Sequence, residues 1–314
     1  MSKKLVSLFL AVLMAFSAAS VLAEGSAVTV TDMHGREITL AAPAEKIVVL
    51  MPADAEILWS LGVSESIVGV GMYCVTPEET AVMPGIDGKE VVNSGYVLNV
   101  EQILALAPQV VIMTEMGHDP DQVAALTEGG VQVVITNAQN LEDVYTDITL
   151  LGAVTGKNAE AETLITDMKA RFAAIGEKAG ETDKTLYIEE SPIYDGTVWT
   201  AGKGTYMDDV AALCGLKNIF ADLDGHQGVS DEQVVARNPD LIITTTSYDP
   251  SWMSEMPDAE IKNRSGWEGV TAVINGDVIY DPTNAVALPG PRLTDVAEML
   301  LNYIQSEEAA DPAA

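Results

Sequence analysis

Two glutamates, Glu101 and Glu232, occupy the same place in two copies of one phrase. NVEQILALAPQVVIMT spans residues 99–114 and SDEQVVARNPDLIITT spans 230–245, with six of sixteen positions identical and an offset of 131 residues (232 − 101). Carboxylates duplicated in this way suit electrostatic recognition by two like basic surfaces. Other residues are suited to gripping a flat or metal-bearing molecule. Met51, Tyr73, Tyr96, Trp199, His226, Tyr248 and Trp252 all fall in loops or at the ends of apolar runs. Aromatic rings offer large rigid faces, and an imidazole can ligate a metal ion. His118 lies between Glu115 and Asp119 in TEMGHDPD, which is metal-ligand chemistry without a second, spaced His.

Most of the repeated phrase is helix punctuation. Asn99 and Ser230 are N-cap residues, and Gln102 and Gln233 sit three positions on, where a Gln side chain can reach back to the cap. Pro108 and Pro239 close the helices, and an apolar strand follows each. Neither signal requires the Glu. A carboxylate near the positive end of the helix dipole gains roughly 0.3–1 kcal/mol, which accounts for one such Glu better than for a matched pair.

The elements that position these residues alternate along the chain. AVTVTDMHGREITL reads as a hairpin around Met33-His34-Gly35. KIVVLM, SIVGVG, QVVIMT and VQVVIT then read as strands, alternating with the helices AEILWSLG, VEQILALA, DQVAALTEG and LEDVYTDITLLGAVTG. Continuous apolar strands between helices mark a parallel sheet covered on both faces. Residues 157–180 break the rhythm. There Ala161, Leu164, Ile165, Met168, Phe172 and Ile175 recur at helical spacing, giving one helix of about six turns. The pattern restarts with TLYIEE and ends with TDVAEMLLNYI. The spacing therefore predicts two Rossmann-like α/β lobes with parallel sheets, residues 24–156 and 181–306, joined by the single rigid helix 157–180. Residues 307–314 read as a flexible acidic tail.

The apolar N-terminus, with Lys3 and Lys4 ahead of it and Val21-Leu22-Ala23 behind, reads as a secretory signal cut after Ala23. No Cys follows it to accept a lipid, which points to a periplasmic protein. The net charge of −31 becomes −33 (−31 − 2) without those two lysines. Such acidity opposes nucleic acid and anionic membranes as partners. Cys74 and Cys214 fall in opposite lobes and read as free thiols.

The order and spacing of TVTDMHGREITL, KIVVLMPADAEILWSLG, VEQILALAPQVVI, AGKGTYMDDVAALCGLKNIFAD, VSDEQVVARNPDLIIT and PGPRL resemble the class III substrate-binding proteins of ABC importers, the iron-complex and vitamin B12 binding family. The likeness covers about residues 28–306. It implies capture of a siderophore, haem or cobalamin-like ligand between two lobes by a monomer, and delivery to a permease dimer with a cytoplasmic ATPase. It also implies that Glu101 and Glu232 dock onto arginines of the two membrane subunits. No intrinsic cofactor is implied, and haem, a corrinoid or a ferric chelate would be bound as ligand.

Tyr73 matches an aromatic that faces corrinoid in B12-binding relatives, and Tyr96 lies in the segment where haem-binding relatives carry an axial Tyr. The chain departs from the B12 pattern at His226, where a Trp stands in the relatives, and at Asn284 and Leu288, where Asp and Arg stand. With only five arginines, the chain is poorly suited to anionic siderophores. A metal ion or chelate, or a carrier or sensor role without a permease, remains the alternative function. An enzyme is disfavoured: HExxH, CxxC and GxSxG are absent, and GKGT at 202–205 lacks the spacing of a phosphate loop.

Overall fold

The computed structural model describes residues 27–180, 182–191, 196–245 and 255–310. The signal segment 1–23 lies outside them, as do Tyr248 and Trp252.

Strands β1 (Val28–Thr31) and β2 (Glu37–Leu40) form the expected hairpin. Gly35 closes its turn at φ +80°, a conformation that only glycine adopts freely. There follow β3 (Ile47–Val49), α1 (Pro52–Ser60), β4 (Ile67–Val70), α2 (Pro77–Val82) and β5 (Glu90–Val91). A small ribbon, β6 (Asn93–Ser94) with β7 (Val97–Leu98), leads into α3 (Val100–Leu106), β8 (Val110–Thr114), α4 (Pro120–Glu128), β9 (Gln132–Thr136) and α5 (Leu141–Thr155). The main sheet runs β5-β4-β3-β8-β9, and every pair in it is parallel. The strands β3 and β8 are almost wholly buried, as continuous apolar runs require when helices cover both faces.

Helix α6 (Asn158–Ala179) connects the lobes, within a residue of the expected span at each end, and at 22 residues is about 33 Å long. The second lobe contains β10 (Thr185–Glu189), β11 (Thr197–Ala201), α7 (Tyr206–Leu213), β12 (Lys217–Asn218), β13 (His226–Ser230), α8 (Asp231–Arg237), β14 (Leu241–Thr244), α9 (Pro257–Lys262), α10 (Thr271–Asn275), β15 (Val278–Tyr280) and α11 (Leu293–Ala310). Its sheet runs β13-β11-β10-β14-β15, with β12 also on β10. This sheet is mixed. Strands β10, β12, β14 and β15 pair in parallel, but β11 is antiparallel to both β10 and β13. The reason is the seven-residue link 190–196, too short for the crossover of a dozen residues that a parallel pair needs. Helix α11 continues to Ala310, into the segment read as a tail, because Glu307, Glu308, Ala309 and Ala310 are good helix formers.

One hydrophobic core passes through the joint. Val49 and Leu151 of the first lobe, Met168 and Phe172 of α6, and Leu186 and Leu300 of the second belong to a single buried cluster. Arg171 of α6 adds ion pairs to Asp295 (2.6 Å) and Glu298 (3.0 Å) of α11. The connection is thus packed along its length and acts as a strut. Cys74 and Cys214 are both free and buried; burial pushes the Cys214 thiol up to about 12, so it is inert.

Beneath the start of α1, Asp54 and Asp147 are fully buried together, with the Thr136 hydroxyl 3.2 Å from Asp54. Burial pushes both carboxyls up, and the charge on Asp54 pushes Asp147 further, so the pair shares a proton. The folded pair thus holds a proton that the unfolded chain releases above the ordinary Asp range near pH 4, and its contribution to stability falls as pH rises. Asp147→Asn removes the proton requirement. The variant should gain on the wild type progressively from pH 5 to pH 8, by on the order of 1–3 kcal/mol, in urea unfolding. A gap that shrinks with pH would contradict the shared proton.

Candidate functional site

Residues following β3, β4, β9 and β15 meet across the joint. Tyr206 N–H donates to the Gln139 carbonyl (2.7 Å), and Leu141 N–H to the Asp209 carboxylate (3.0 Å). Arg292, in the PGPRL turn before α11, donates to Glu56 (2.8 Å) and Glu79 (3.1 Å) of the first lobe and to the Thr283 carbonyl. Burial raises Glu79 to about 7, and the charge of Arg292 pulls against that shift. Arg292 is therefore an inter-lobe tie. The C-terminal ends of strands in open α/β sheets are also where ligands bind.

On the first lobe, Tyr73 and Tyr96 stand with ring centroids 6.4 Å apart, tilted by 52°. Tyr73 lies on the turn after β4, and Tyr96 at the tip of the β6–β7 ribbon. Thioethers brace this pair. Tyr96 O–H donates to Met116 Sδ at 3.0 Å, and Gly95 N–H to Met72 Sδ at 2.8 Å. Met116 is itself 75% exposed. Met72, Tyr73, Tyr96, Val97 and Met116 thus form a soft apolar surface in an otherwise acidic protein. Met51, the N-cap of α1, is half-buried at the end of β3.

On the second lobe, Trp199 is 53% exposed on β11, while its neighbours Val198 and Thr200 point into the core. Its carbonyl accepts from Glu190 N–H (2.9 Å). His226, at the start of β13, places Nδ1 2.8 Å from Glu190 Oε2 and packs its ring 5.5 Å from the buried Tyr206 ring. Burial draws the imidazole pKa down, but the hydrogen bond and charge of Glu190 outweigh it and the net shift is upward. A carboxylate on Nδ1 fixes the orientation of the ring. No local pattern marks Glu190 as this partner, since 36 residues separate the two.

Every arginine is committed. Arg36 pairs with Asp32, Arg171 with Asp295 and Glu298, Arg237 with Asp222, Arg264 with Glu189 and Glu260, and Arg292 with Glu56 and Glu79. Anionic ligand groups would find no spare guanidinium.

The duplicated phrases adopt duplicated structure. Helices α3 and α8 each have seven residues, begin 131 residues apart (231 − 100), and feed β8 and β14, the fourth strand of each sheet order. Each ends in a left-handed residue before its Pro, Ala107 at φ +50° and Asn238 at φ +47°. For alanine that conformation costs about 1–2 kcal/mol, so the duplication extends to a strained cap. The caps themselves differ. Gln233 accepts from Ser230 N–H (2.9 Å) as expected, whereas Gln102 turns away to donate to Glu90 at 2.5 Å. Asn99 still accepts from Gln102 N–H (3.1 Å). Glu101 and Glu232 both lie exposed in the first turn, and a hydrogen bond from Ser230 holds the Glu232 carboxyl below the usual range.

A family profile described as periplasmic binding protein matches residues 47–285. An ABC transporter substrate-binding lipoprotein of Bacillus subtilis, YvrC, itself uncharacterized, is 31% identical over 284 residues, covering 88% of this chain and 85% of its own. A cobalamin-binding protein of Halobacterium salinarum is 27% identical over 282 residues, covering 88% and 73%. Among solved structures, a possible iron-binding periplasmic solute-binding protein of Staphylococcus epidermidis superposes with a TM-score of 0.66 at 27% identity, over 83% of this chain and 98% of its own.

Proposed function

The chain belongs to the periplasmic binding protein family, as a substrate-binding component of an ABC transporter, and from that premise we propose that its cargo is a corrinoid-like macrocycle held between the lobes. The observation that carries this reading is the aromatic and thioether surface of Tyr73, Tyr96, Met72 and Met116. Such a surface suits a broad, flat, weakly charged face. The committed arginines weigh the same way, against anionic chelates. The cobalamin-binding relative adds support by analogy. Trp199 and Met51 complete the contacts from either lobe. The chain supplies no catalytic residue to this task.

Haem is the second reading, and His226 is the observation that favours it. Glu190 orients that imidazole and raises its basicity, as carboxylates do for metal-bound histidines. The two readings separate by absorption spectrum, because axial His ligation gives a Soret band that H226Q would shift.

Delivery then requires the paired carboxylates. Glu101 and Glu232 form the docking points for a permease dimer, and the packed α6 joint keeps their separation nearly constant as ligand binds. The chain acts outside the cytoplasm, with the leader cleaved after Ala23 and the mature protein a monomer. The domain limits of this reading are 24–156 and 181–306, with the connecting helix 157–180 between them. None of the helices among the described residues is long and apolar enough to cross a membrane.

Titration of the protein with cyanocobalamin, followed by tryptophan fluorescence, tests the cargo. Tyr73→Ala and Trp199→Ala should each weaken binding by about 2 kcal/mol. Unchanged affinity in both variants would remove the cleft from consideration.

A further inference from the structure

Beside the proposed cargo surface, the geometry points to a binding site for a divalent first-row transition ion formed by His34, Glu115 and His118, the last two flanking Met116. The chain contains only three histidines, and two of them, 84 residues apart in sequence (118 − 34), converge on one carboxylate. One ligand atom from each of the three residues lies within 4.8 Å of the others. His34 Nδ1 is 2.7 Å from Glu115 Oε2, and the His34 and His118 rings are 5.0 Å apart.

A simple surface ion pair does not account for the group. Among the described residues Glu115 Oε2 is shielded from solvent and has no hydrogen-bond partner, although it stands 2.7 Å from His34 Nδ1. The second imidazole has no role in such a pair. Two imidazoles and a carboxylate are instead a complete three-ligand set for a borderline ion, with one position left for water or another donor. Ligand atoms around a tetrahedral ion stand about 3.3 Å apart, from bond lengths near 2.0–2.1 Å. The 2.7 Å contact must therefore open slightly, which the exposed His34 side chain allows.

Both backbones that carry the ligands are fixed. Glu115 opens the helical turn after β8, and His118 N–H closes it onto the Glu115 carbonyl (3.0 Å). His34 sits in the hairpin turn, where the buried Asp32 accepts from His34 N–H (3.1 Å) and Ile135 N–H (3.2 Å). Met33 N–H also donates to the Ile135 carbonyl (3.0 Å). The hairpin is thus pinned to the end of β9, beside the end of β8, and this pinning brings His34 to His118. Asp119, the acid adjacent to His118, takes no part, because it caps α4 by accepting from Asp121 N–H (2.9 Å).

Cobalt(II) as probe, with zinc(II) as competitor, tests the site on the full mature chain. The expected result is one saturable equivalent with visible d–d absorption, displaced by zinc, and two paramagnetically shifted, exchangeable imidazole N–H resonances. H34Q and H118Q should each remove one resonance and weaken binding by at least about tenfold. E115Q should weaken binding while keeping both resonances. E142Q, at an exposed acid on α5, should change nothing and so controls for loose binding to an acidic surface. Cobalt binding that survives H34Q and H118Q unaltered, or that shows no imidazole resonance, would overturn the assignment. Loss of cobalamin binding with an intact cobalt titration would count against the proposed cargo and leave this site standing.

Discussion

Reversing both docking charges, Glu101→Lys with Glu232→Lys, is expected to abolish uptake of the cargo while leaving the protein's affinity for it unchanged. Both side chains are exposed in the first turn of short helices, so neither substitution disturbs the core. Each gives up the favourable interaction of a carboxylate with the helix dipole, a cost of roughly 0.3–1 kcal/mol that the fold tolerates. At a basic partner surface the change is far larger. Two attractive pairs become two repulsive ones, and the rate of transport should fall by about two orders of magnitude or more. A single reversal should give an intermediate loss, since in the proposed docking each lobe engages its own subunit. Uptake assays in cells, paired with cobalamin titration of the purified variants, measure both halves. Loss of affinity would reassign the glutamates to the ligand cleft, and normal uptake would remove them from docking altogether.

The largest effect on stability is expected at Arg264. Its guanidinium makes a two-pronged pair with the buried Glu189 (2.8 and 3.0 Å), reaches Glu260 at 2.5 Å, and stacks 4.4 Å from the ring of the buried Trp267. Arg264→Ala leaves Glu189 fully buried without a counter-charge, and removing one partner of such a pair costs about 3–5 kcal/mol. Burial already pushes the Glu189 pKa up, and the bonds from Arg264 pull against it. Without them Glu189 must take up a proton on folding. The loss should therefore deepen as pH rises above the ordinary Glu range. Adding Glu189→Leu should recover much of the stability, because a buried ion pair adds little over apolar packing. Chemical unfolding at two pH values checks both the size and the sign. A loss under about 1 kcal/mol would mean that water reaches Glu189.

Much of this fold could be read from the chain because its strands and helices differ in period. The apolar runs IVV at 47–49 and VVIMT at 110–114 are buried strands, and the spacing of Ala161, Met168, Phe172 and Ile175 gives the strut. What escaped were short or polar elements. Strand β11 is hard to read from the chain because TVWTA begins in a loop-rich stretch, and its antiparallel course depends on the length of the preceding link. Strand β13, HQGVS, carries one buried apolar side chain and pairs only through its backbone. Tyr73, Tyr96, Trp199 and His226 are legible as residue types, but only the two tyrosines stand in turns; Trp199 and His226 lie on β11 and β13. Their companions are not legible: Met116 under Tyr96, Glu190 beside His226 and His34 beside His118 are joined by topology. No local pattern encodes a contact between residues 36 or 84 positions apart (226 − 190; 118 − 34).

In the proposed carrier a duplicated docking Glu goes with an arginine-poor, aromatic cleft, and the cargo is recognised by shape and metal rather than by charge. Native mass spectrometry of the protein purified from its own cells tests that claim most directly. The account predicts one bound species with the mass of a metal-bearing macrocycle, retained by the Glu101→Lys, Glu232→Lys variant and lost from a Tyr73→Ala, Trp199→Ala variant. A small polar solute in its place, or a macrocycle that stays bound after both aromatics are removed, would contradict it.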